Sequence, residues 1–160
     1  MCIRDRLITI DFNDFLTGLY IEEFDIKPWL KDDLILIEKE FRKNVRNFNW
    51  SLLKGKNISI ICSNSAIIPD WAFMLVSSEL TKCGIKNFIG NIKSYKEYLI
   101  NHKINDFDLS SVKNKPVIIK GCSDDEFSKF IYSQLIQKVQ GVVSSIMFGE
   151  ACSAVPIFKK

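Results

Sequence analysis

Asn57-Ile-Ser-Ile-Ile61 is an isoleucine-rich run whose interior holds only the small Ser59 as a polar residue, and it stops at Cys62-Ser-Asn-Ser. A short run of this composition suits a strand buried on both faces, the situation of a strand inside a parallel sheet. A parallel strand needs a crossover before its partner. The sequence supplies one: residues 71–83 read as a helix apolar on most sides, with Pro69 near its first turn and Gly84 closing it.

The same alternation continues downstream. Residues 87–89 read as a short strand and residues 94–101 as a tyrosine-bearing helix capped by Ser94. A polar connection over 106–115 leads to a third strand, Pro116-Val-Ile-Ile119. Phe127, Phe130, Ile131, Leu135 and Val139 then share one helix face, with Ser123 or Asp124 as cap. Gly141 breaks that helix before a fourth strand over 142–148. Upstream, Leu7-Ile-Thr-Ile10 is a short strand, and Phe12, Phe15 and Phe24 are expected to pack across the domain as an arm. Leu34, Ile37, Phe41, Val45 and Phe48 recur at helical steps with Lys and Arg outside. The expected fold is α/β: a three-layer α/β/α domain with a mainly parallel sheet and an N-terminal strand/helix arm. Counting strands from Asn57, the expected order is 2-1-3-4. Residues 7–160 are expected to form this single domain, whereas Met1-Cys-Ile-Arg-Asp5 and the junction residue Arg6 read as a translated sequencing adaptor.

A chain of 160 residues that is 47% hydrophobic and 26% charged can bury a proper core. Its formal net charge of +3 is spread over both signs, with no basic stripe interleaved with aromatics, so nucleic acid is not an expected partner. No apolar run reaches bilayer length, so no membrane partner is expected and the protein is read as cytoplasmic. No G-x-G-x-x-G or Walker loop follows a strand. His102, the sole histidine, lies in a polar helical stretch with no serine elbow to serve. Asp124, Asp125 and Glu126 read as first-turn dipole partners, and Trp71 and Phe73 as core.

The cysteines are harder to dismiss. Cys62 ends the first strand of the alternating part, Cys122 follows the third in Ile119-Lys-Gly-Cys, and Cys152 comes just after the fourth. Ligands of open parallel sheets bind outside the carboxyl ends of the strands. In the order 2-1-3-4, strands one and three would be neighbours about 4.8 Å apart, with strand four beside them. All three thiols would then meet at one edge, two of them ahead of helix N-termini that favour a thiolate. Gly121 and Gly149 would let the chain bend beside a bound group, and Ser123 and Ser153 would donate to it. Three thiolates suit zinc or an iron–sulfur cluster, with Asp70, Glu150, water or a partner as fourth ligand. The competing readings are a metal-free thiol enzyme or sulfur-relay protein, and a non-catalytic binding module whose cysteines are packing. Cys83, just before Gly84, reads as packing in either case.

Three segments together carry a resemblance: Cys62-Ser with Ile68-Pro-Asp-Trp-Ala-Phe-Met74, Ile118-Ile-Lys-Gly-Cys122, and Ser145-Ile-Met-Phe-Gly-Glu-Ala-Cys-Ser-Ala-Val-Pro-Ile-Phe-Lys159. The chain resembles, over nearly its whole length from Leu7, a bacterial family catalogued as domain of unknown function 2480 and typical of Bacteroidetes. The resemblance implies that Cys62, Cys122 and Cys152 are motif cysteines, whereas Cys83 lies outside the motifs. It implies an association with sulfur-mobilisation (SUF-type) iron–sulfur assembly, which favours a cluster over zinc and iron–sulfur assembly proteins as partners. Two departures stand out. Gly149-Glu-Ala-Cys-Ser153 has alanine where the family pattern has proline, and Ser123-Asp-Asp-Glu126 replaces prolines after Lys-Gly-Cys.

Overall fold

The computed structural model describes residues 7–121 and 127–160. The adaptor-like residues 1–6, together with Cys122, Ser123 and the expected helix cap at Asp124, lie outside the described residues. Among these residues seven strands and four α-helices follow in the order β1 (Ile8–Asp11), β2 (Ile21–Asp25), α1 (Glu38–Asn47), β3 (Asn57–Ile61), α2 (Asp70–Lys82), β4 (Lys86–Ile89), α3 (Ile92–Asn105), β5 (Pro116–Lys120), α4 (Phe130–Val139), β6 (Ser145–Phe148) and β7 (Val155–Lys159). The α/β class and the mainly parallel pairing are as expected.

The strand order is not. Instead of one sheet ordered 2-1-3-4 there are two, β2-β3-β4 and β1-β5-β6-β7. The reason lies upstream of Asn57, where two strands, not one, supply parallel partners. β2 takes the flank of β3 (Ile21 opposite Asn57), and β1 takes the flank of β5 (Ile8 opposite Val117). The expected N-terminal arm is therefore two edge strands, one in each sheet.

The chain divides into two compact units: a central one, Gly18–Tyr95, and a terminal one, Met1–Thr17 with Lys96–Lys160. In the central unit, the inward residues Ile58 and Ile60 of β3 pack with Phe41 and Val45 of α1 and with Ala72, Val76 and Leu80 of α2. The helix α1 starts later than its apolar period suggests. Asp32 and Asp33 take left-handed backbone conformations, and Leu34 and Ile35 are exposed. By contrast α2 ends as read, with Cys83 at the C-cap and Gly84 at φ +70°. The cap of α3 is Asn91, whose Oδ1 accepts the Ser94 N–H at 2.8 Å. Ser94 is thus inside the helix, not its cap.

In the terminal unit, Val117 and Ile119 of β5 and Ile146 of β6 pack with Ile131, Leu135 and Val139 of α4 and Ile100 and Ile104 of α3. The strand β7 returns antiparallel to β6 and forms the edge, where Pro156 breaks no interior ladder. No helix of the described residues is long and apolar enough to cross a membrane.

Candidate thiol site

Cys62 follows the last residue of β3, as its sequence position implied. The thiol is half-buried and donates to Asn64 Oδ1 at 3.1 Å. That same oxygen accepts the Ala66 N–H at 3.1 Å, while the Asn64 amide donates to the Asp33 carbonyl. The hydrogen bond of the thiol thus goes to an asparagine in the loop, not to the N-terminus of α2, from which residues 63–69 separate it. Asp70 is exposed in the first turn of that helix.

The sequence reading missed Asp25. It ends β2, directly opposite Ile61, and its Oδ1 accepts the N–H of Lys27 at 2.9 Å and of Ser63 at 3.1 Å. Burial pushes its carboxyl up. Hydrogen bonds from the Ser63 side chain and from the Lys27 and Ser63 N–H groups, with the Lys27 charge, outweigh burial and hold the pKa below its ordinary value. The available signal was Asp25-Ile-Lys-Pro28, an aspartate two residues ahead of an N–H it can cap. A carboxylate with a depressed folded pKa stabilises above its unfolded pKa, and that contribution is lost as pH falls through the folded value. Asp25→Ala should therefore cost about 1 kcal/mol at pH 7, discounted for solvent, and nothing at pH well below about 4. Urea titrations of both proteins at the two pH values check this, and a cost unchanged at low pH would contradict it.

In the terminal unit β5 and β6 are adjacent and parallel, with Ile119 opposite Phe148. The Gly149 N–H donates to the Ile119 carbonyl at 2.9 Å, extending the ladder one step. Lys120-Gly121 and Gly149-Glu150 therefore leave the sheet at the same carboxyl edge. Cys152 sits exposed in a turn closed by the Ser153 N–H donating to the Glu150 carbonyl at 3.0 Å. Alanine at position 151 is enough for that turn to form. Ser153 is exposed beside it, and a Glu150 carboxylate oxygen lies 3.9 Å from the Lys120 ammonium. Cys122 and Ser123, next in sequence after Gly121, are the expected site residues outside the described part.

The two glycines serve different ends. A Cβ on Gly121 would lie 3.1 Å from the tip of the Phe148 ring, so glycine here seats that ring over the end of β5. That contact is a packing reason for glycine here, beside the room for a bound group that the sequence suggested. Gly149 has φ +115°, which side chains rarely adopt, and a Cβ there would find ordinary space. Gly149→Ala is expected to cost about 1–3 kcal/mol through backbone strain alone. A urea midpoint equal to that of the parent protein would refute the strain.

Cys83 is half-buried at the end of α2 and packs against the central core, as expected of a cysteine outside the motifs. His102 is exposed, with Nε2 3.7 Å from the Asp106 carboxylate and its ring beside Tyr98. Among the described residues no three His, Cys, Asp or Glu side chains gather as metal ligands. That set omits Cys122, and Cys62 and Cys152 belong to different units.

The family described as "Protein of unknown function (DUF2480)" matches residues 2–160. The chain belongs to this family. No curated protein and no solved structure matches it. Within this DUF2480 member, the β5–β6 ladder fixes where Lys120-Gly121 and Gly149–Ser153 begin, side by side at one sheet edge.

Proposed function

We propose that this DUF2480 protein binds a soft metal, as zinc or as an iron–sulfur cluster, through cysteine thiolates, with Cys122 and Cys152 as ligands. The observation that supports this reading is the β5–β6 register. It sends Lys120-Gly121 and Gly149-Glu150 away from adjacent strand ends of one sheet, and Cys122 and Cys152 follow them closely in sequence. Thiolates select zinc and iron–sulfur clusters over hard cations. Cys62 is the third motif thiol, Glu150 is close enough in sequence to Cys152 to serve as a further ligand, and Ser153 would donate a hydrogen bond to the thiolate. The family resemblance favours a cluster, a role in cluster assembly or carriage, and assembly proteins as partners. A reducing cytoplasm suits such free thiolates.

Protein purified without oxygen is expected to carry metal, brown with charge-transfer absorbance if the centre is a cluster. Metal content should be lost in a Cys122→Ser, Cys152→Ser double variant and kept in Cys83→Ser. Full metal content in the double variant would overturn the reading, and Cys62→Ser, measured alongside, tests the third thiol. A second reading, a metal-free sulfur relay, draws on the exposure of Cys152, which leaves its sulfur open to a partner thiol. It requires Cys152 to alkylate much faster than Cys62 and Cys83 in metal-free protein, and uniformly slow alkylation would end it.

A further inference from the structure

The same terminal unit carries a groove of about 370 Å³ that is lined by no cysteine among the described residues. Its floor is Phe148, the ring seated on Gly121, with Tyr132 edge-on to it at 5.7 Å between centroids. Its walls are Ile119 of β5, Ile136 of α4 and Ile157 of β7. Ile157 stays half exposed on β7, the edge strand of the sheet. The volume lies in the range of small-ligand pockets, roughly 300–1,000 Å³, and the position is the carboxyl end of parallel strands, where α/β folds take their ligands.

The polar feature of the rim is Lys129. It lines the groove, and among the described residues no carboxylate forms an ion pair with it. An apolar trough with one cation at its mouth complements a molecule with an apolar body and a single negative end. A peptide adding as a strand to β7 is disfavoured by Pro156, which offers no N–H to a ladder. We propose that the α4–β7 groove binds a small apolar monoanion, a carboxylate with an aliphatic or aromatic body, with Lys129 holding the charged end. No described cysteine lines this groove, and its test reads anion binding without reference to metal content.

Octanoate and octanol are the probes, titrated into full-length protein labelled at isoleucine methyl groups. Octanoate is expected to shift Ile119, Ile136 and Ile157 saturably and to leave Ile58 and Ile60 of the central unit unmoved. Octanol should bind roughly two- to fivefold more weakly, the factor an exposed ion pair supplies. Lys129→Gln should abolish that difference, and Ile157→Glu, at a half-exposed edge position, should abolish octanoate binding while Ile157→Leu retains it. Equal affinity for the two probes, or shifts spread over isoleucines of both units, would overturn the proposal. So would octanoate binding that survives Ile157→Glu.

Discussion

Replacing Phe12 with alanine is expected to destabilise the terminal unit by about 3–5 kcal/mol. Phe12 has no solvent exposure and lies in the cluster that joins β1, β5, β6, α3 and α4. Its ring meets Tyr132 at 5.3 Å and Phe15 at 6.1 Å between centroids, both tilted. Truncation removes the ring's transfer energy and leaves a cavity that close-packed neighbours fill only in part. Tryptophan fluorescence will not report it, because Trp29, Trp50 and Trp71 all belong to the central unit. Amide exchange of β5 and β6 will. Their protection should fall by roughly a hundredfold to a thousandfold in Phe12→Ala and by much less in Phe12→Leu, which keeps most of the volume. Unchanged protection would mean that the N-terminal residues are indeed only an arm laid over a core complete without them.

That arm was the sequence's main misreading, and its cause is physical. Ile21-Glu-Glu-Phe-Asp25 has its two apolar residues three apart, which breaks strand alternation, and its two glutamates suit an edge strand that faces water. Val155-Pro-Ile-Phe-Lys159 hides behind a proline that only an edge strand tolerates. Interior strands β3 and β5 were plain, because burial on both faces demands a run dominated by β-branched apolar residues, and only the small Ser59 interrupts the two. Their partners were not, since β1 pairs with a strand on the far side of the whole central unit, and no local pattern records that choice. The same limit applies to the site. The sequence placed Cys62 and Cys152 after strand ends, because strand ends are local. It could not divide the cysteines between two sheets, nor find Asp25 at the end of a strand it had not recognised. The groove beside Phe148 was equally hidden, since Gly121 and Phe148 meet only through the β5–β6 register.

Trp50→Ala should cost the central unit a similar 3–5 kcal/mol, and here the loss divides into two separable parts. Trp50 is 6% exposed and packs its ring against Phe48 at 4.8 Å, Phe24 at 5.3 Å and Trp29 at 6.1 Å between centroids. Its indole N–H also donates to the Val45 carbonyl at 2.9 Å, in a buried setting. Val45 lies in the last turn of α1, where carbonyls have no partner further along the helix, so Trp50 acts as a side-chain cap on that end. Trp50→Phe keeps most of the aromatic surface and removes the donor. It should cost about 1–3 kcal/mol, the range for a buried acceptor left without a partner, plus a smaller packing loss. Urea unfolding followed by the fluorescence of Trp29 and Trp71 measures both variants in the same unit. If Trp50→Phe proves neutral, the cap contributes nothing and ring packing alone holds α1 in place. If it matches Trp50→Ala, the hydrogen bond is the dominant contribution and the aromatic cluster is secondary.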